Sequence, residues 1–63
     1  MKYTIFLEYN DESESSFDVE IDESPVKANA LIMMITRGTL MASIAQKATA
    51  YNGDGFDVCS YIK

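Results

Sequence analysis

With 63 residues, 48% of them hydrophobic, 24% charged and only one cysteine, the chain has the composition of one small folded domain spanning residues 1–63. Its formal net charge of −5 and sequence pI of about 4.3 argue against nucleic acid or an anionic membrane as a direct ligand and favour a basic partner. The absence of histidine and the solitary Cys59 remove the commonest general base, the commonest metal ligand and any internal disulfide, so neither catalysis nor a cofactor nor a metal site is expected.

Residues 2–9, KYTIFLEY, alternate as a strand with Tyr3, Ile5, Leu7 and Tyr9 on one face; Phe6 interrupts the polar character of the other. Residues 10–16, NDESESS, are polar and turn-prone and predict a hairpin loop. Residues 17–22, FDVEID, alternate strictly, which places Phe17, Val19 and Ile21 inward and Asp18, Glu20 and Asp22 outward.

Ser24 followed by Pro25 signals a helix start. Apolar residues then continue to Tyr51, a span of about 40 Å as a single helix at 1.5 Å per residue, too long for the strands beside it. A kink or break at Gly38 is therefore expected, giving either one bent helix or two of about three turns, closed by Asn52 and Gly53. A final strand follows in GFDVCSYIK, with Phe56, Val58 and Ile62 on one face and Asp57, Cys59 and Tyr61 on the other. The expected fold is thus α+β: a three-stranded, at least partly antiparallel sheet in the order β-β-α-β, covered on one face by the helical segment.

Charge placement points to function. Eight of the ten acids, Glu8, Asp11, Glu12, Glu14, Asp18, Glu20, Asp22 and Glu23, lie between residues 3 and 26, a stretch without lysine or arginine. Carboxylates at about 6.7 Å intervals along a strand repel one another and do nothing for folding, but such a row can occupy the phosphate sites of a DNA-binding protein. The candidate partner-binding residues are Glu12, Glu14, Asp18, Glu20, Asp22 and Glu23. The competing explanation is a solvated strand whose charges discourage edge-to-edge aggregation.

The run LIMMI, residues 31–35, is apolar all round and asks for more cover than one small sheet offers. A homodimer through Leu31, Met33, Met34 and Met41 would supply it, methionine being suited to adaptable contacts. A helix-turn-helix across Gly38 is disfavoured because Lys47 is the only base between Leu40 and Tyr51. Asn52, Asp54, Gly55 and Asp57 lack the distal glutamate of a calcium loop. The longest unbroken apolar stretch, residues 30–35, is far short of the ~20 residues a membrane span needs, so a cytoplasmic location with reduced Cys59 is expected.

In outline the chain resembles small acidic early proteins of bacteriophages that bind and disable host factors. Phe17, Asp18, Val19 and Ile21 match the second strand, and Gly55, Phe56, Asp57 and Val58 the start of the last strand, of an inhibitor of host RNA polymerase in this group. The resemblance implies a cytoplasmic host-takeover inhibitor that acts as a DNA mimic, with the nucleoid protein HU the preferred target and RNA polymerase next. The opening KYTIFLEY also resembles the first strand of HicB-type antitoxins, although their Leu-Pro-Gly turn and acid-rich helix start are missing; this implies, as an alternative, an antitoxin that neutralises a toxin through an apolar face.

Overall fold

The computed structural model describes all 63 residues, as β1 (Lys2–Glu8), β2 (Glu14–Glu20), α1 (Pro25–Ala42), β3 (Lys47–Asn52) and β4 (Asp57–Ile62). The class is α+β, but the sheet has four strands, in the order β2-β1-β3-β4, with every neighbouring pair antiparallel. No helix is long and apolar enough to cross a membrane.

The first hairpin follows from its sequence pattern. Tyr3, Ile5 and Leu7 are buried toward the helix, and opposite them stand Val19, Phe17 and Ser15. The strand begins earlier than the alternation of residues 17–22 suggests and ends at Glu20, so Ile21 is buried just beyond it and Asp22 leaves the row. There the backbone Ile21 N–H donates to the Met1 carbonyl at 2.8 Å. Phe17 does point to the helix side but stays 39% exposed, because β2 is an edge strand and α1 packs against β3, β4 and β1.

Helix α1 starts where Ser24 and Pro25 predict, with Pro25 in its first turn. Ser24 takes the extended N-cap backbone conformation, yet its side chain makes no capping hydrogen bond. The helix runs through Gly38 without a break and stops at Ala42; the Ser43 N–H and hydroxyl both donate to the Leu40 carbonyl. The helical continuation expected to reach Tyr51, as one bent helix or a second one, is instead strand β3, whose sequence KATAYN alternates, with Ala48 and Ala50 buried toward the helix. Length explains the outcome: 18 residues span about 27 Å at 1.5 Å per residue, close to the strands beneath, and chain beyond that must turn back.

A stripe of Ala28, Ile32, Thr36 and Leu40, spaced four residues apart, faces the sheet. Ile32 and Ala28 join Tyr3, Ile5, Ile21 and Ala50, while Leu40 joins Leu7, Ala45 and Ala48. Alanines at 28, 45, 48 and 50 are fully buried and let helix and sheet approach closely. Thr36, also fully buried, satisfies its hydroxyl by donating to the Ile32 carbonyl at 2.6 Å. The hydroxyl of buried Tyr3 donates to Asn29 Oδ1 at 2.9 Å and ties β1 to the helix start.

The β3–β4 hairpin turns at Asn52, whose side-chain Oδ1 accepts from the N–H groups of Asp54 and Phe56, each at 3.0 Å. Gly55 takes φ 86°, a left-handed conformation that suits glycine. A register shift between Ala50 and Tyr51 then splits the expected grouping of the last strand: Asp57 opposes Tyr51 on the open side, while Cys59 and Tyr61 oppose the buried Ala50 and Ala48. Cys59 and Tyr61 pack against the core along with Val58, while Phe56 and Ile62 are exposed.

Candidate functional site

Because α1 covers one face of the sheet, the other is open. Tyr3, Ile5 and Leu7 define the covered side, so Lys2, Thr4, Phe6 and Glu8 of β1 stand on the open side. Their cross-strand partners on β2 are Glu20, Asp18, Ser16 and Glu14, and on β3 Tyr51, Thr49 and Lys47 face Thr4, Phe6 and Glu8. Directly opposed residues share a face. Glu14, Asp18 and Glu20 therefore form the acidic row of the open face, on the edge strand, with Glu8 beside Glu14.

Part of this charge is compensated locally. Asp18 accepts a hydrogen bond from the Thr4 hydroxyl at 2.8 Å and lies 3.5 Å from the Lys2 ammonium. Glu20 is 3.3 Å from the N-terminal amine, and Glu8 is 4.0 Å from Lys47. These partners are exposed, so the pairs are weak and easily exchanged for a stronger external cation. Glu12, Glu14, Asp22 and Glu23 are exposed and make no ion pair.

Of the six acids singled out by sequence, the structure groups Glu14, Asp18 and Glu20 in one row and sets Glu12 close by at the hairpin tip. Asp22 and Glu23 lie apart from that row, in the connection to the helix. At the tip, Glu12 adopts φ 69°. Asp11 accepts from the Ser13 hydroxyl and, at 3.0 Å, from the Ser13 N–H. Those two bonds, the side-chain one foremost, hold the Asp11 carboxyl below its ordinary value.

Beside the acids lies an aromatic pair. Phe6 and Tyr51 meet edge to face with ring centroids 5.5 Å apart. They line a shallow open concavity of about 620 Å³ together with Thr4, Glu8, Glu14 and Thr49. The sequence signal for Phe6 is its break in the polar alternation of β1; Tyr51 carries none, because the apolar run from Val26 to Tyr51 reads as helix. Acids and cysteine do not converge elsewhere: no group of three His, Cys, Asp or Glu side chains is placed to hold a metal ion. The surface can thus offer carboxylates around a half-buried aromatic patch, an arrangement suited to lysine and arginine side chains.

The four residues of the expected dimer contact are all exposed on α1, with Leu31, Met34 and Met41 on one side and Met33 around the helix from them.

No protein-family model, no curated protein and no solved structure matches the chain.

Proposed function

We propose that this chain is a non-catalytic inhibitor of phage type, which uses the open sheet face to occupy the nucleic-acid-binding surface of a basic host protein. The supporting observation is the acidic row Glu14, Asp18 and Glu20 on an edge strand that the helix leaves uncovered, flanked by Glu8 and Glu12. Asp18 and Glu20, about 6.7 Å apart along the strand, and Glu14, about twice that distance beyond Asp18 because Ser16 intervenes, stand in for phosphates. They speed encounter with a positive surface and make affinity fall with salt, while Phe6 and Tyr51 add an apolar anchor at the centre of the contact.

HU is the preferred target and RNA polymerase the next, as the resemblance to phage host-takeover proteins implies. The test titrates purified HU with the labelled chain at low and high salt, with duplex DNA as competitor. Saturable binding that DNA displaces and salt weakens is expected, and the triple change Glu14→Gln, Asp18→Asn, Glu20→Gln should weaken it at least about tenfold. Asp22→Asn with Glu23→Gln, apart from the row, should leave it within about twofold. Binding by neither HU nor RNA polymerase, or affinity indifferent to the triple change, defeats the mimic. The exposed apolar side of α1 favours the antitoxin alternative, for which binding would be salt-insensitive and lost on changes in the helix.

A further inference from the structure

The outer side of α1 is more apolar than the acidic chemistry above requires. At 3.6 residues per turn, Leu31, Met34, Ile35, Gly38, Met41 and Ala42 fall along one flank of the helix, spaced i, i+3, i+4, i+7, i+10 and i+11. Leu31, Ile35, Met34 and Met41 are exposed there, Met34 by 71%. Gly38 sits among them as a notch: a Cβ built on it meets nothing within 4 Å.

We propose that this flank is the contact between two copies of the chain, packed helix to helix about a two-fold axis. The flank carries both halves of a self-complementary surface, projecting Met34 and Met41 on either side of the Gly38 notch. Under a two-fold operator, the methionine of each copy enters the notch of the other.

Charge favours a second copy over a basic partner. The helix contains no acid, and its only ionic side chains are Lys27 and Arg37, so all ten acids of the chain lie outside it. Two copies meeting through α1 keep their acidic hairpins apart from the apolar contact, whereas two open sheet faces would set like charges against each other. A basic protein is drawn to the sheet face and away from a helix whose charges are both positive. The core adds a reason, since only 12 of 63 residues are buried and domains this small commonly gain stability from a partner subunit.

Sedimentation equilibrium of the full chain, over concentrations from below one to several hundred micromolar, tests the contact directly. The expected mass approaches twice the 7.0 kDa of the chain and persists in high salt, because apolar contacts are not screened. Met34→Glu and Gly38→Leu both change sites open to solvent in a single copy, so circular dichroism should show each folded. Each should raise the dimer dissociation constant roughly 100-fold, by burying an unpaired charge or by filling the notch. A mass of 7.0 kDa throughout, or a dimer that both variants leave intact, overturns the proposal; the second result would locate self-association elsewhere, for example at the free edge of β4.

Discussion

Replacing Ile32 with alanine removes the largest apolar side chain that the helix buries completely. Three carbons at about 0.8 kcal/mol each give roughly 2.4 kcal/mol of lost burial, and the cavity left behind brings the cost to about 2–5 kcal/mol. A 63-residue chain has only about 3–9 kcal/mol of stability in total, at 0.05–0.15 kcal/mol per residue. The variant should therefore melt at least about 10 °C lower, and at the upper end it should be unfolded at room temperature. Val26→Ala supplies the comparison. Val26 is 82% exposed, and alanine is the better helix former by about 0.5 kcal/mol, so that variant should melt at or slightly above the parent. Thermal unfolding followed by far-UV circular dichroism, at one fixed protein concentration, measures both. A loss below about 1 kcal/mol for Ile32→Ala, or an equal loss for Val26→Ala, would mean that the stripe at 28, 32, 36 and 40 does not face the sheet.

Glu12→Gly should stabilise the fold by about 0.5–1 kcal/mol, because glycine accepts φ 69° without the clash of a Cβ, and a melting temperature below the parent's would contradict the turn geometry. In a pH titration followed by NMR, Asp11 should titrate below its ordinary value, and Ser13→Ala should raise its midpoint. Since the folded-state value is the depressed one, the stabilisation is present above the unfolded-state pKa and is lost as pH falls through the folded-state pKa. Unchanged titration in Ser13→Ala would show that the side-chain bond to Asp11 is not formed in solution.

Sequence pattern was most informative where polarity alternates over several residues. KYTIFLEY and FDVEID yield the first hairpin and the facing of both its strands, since a strand with one covered face needs a period of two. Ser24–Pro25 likewise marks the helix start, although backbone conformation and proline act there without the expected serine cap. KATAYN failed because alanine is the best helix former and two of its six residues are alanines, so local propensity masked the alternation of Ala48 and Ala50 with Thr49 and Tyr51. Gly38 acts in the same way: its helical cost of about 1 kcal/mol points to a kink or a break, yet the surrounding stripe holds the helix together through it. The register shift at Ala50 and Tyr51 leaves no sequence signature, and it separates Asp57 from the face of Cys59 and Tyr61 that strict alternation would give it. The acidic row was legible in kind but displaced along β2. Its membership depends on where the strand begins and ends: Asp22 drops out beyond Glu20, and Glu14 joins at the other end, opposite Glu8.

The four alanines between helix and sheet also divide the tolerance of this domain to mutation. A buried alanine has almost nothing to shed and no room to grow, so even valine at Ala48 or Ala50 must push the layers apart. Drift is thus confined to the outer surfaces, where the open face, the hairpin tip and the helix flank contribute little to the core. The outer surfaces can change residue by residue while the interior stays almost fixed.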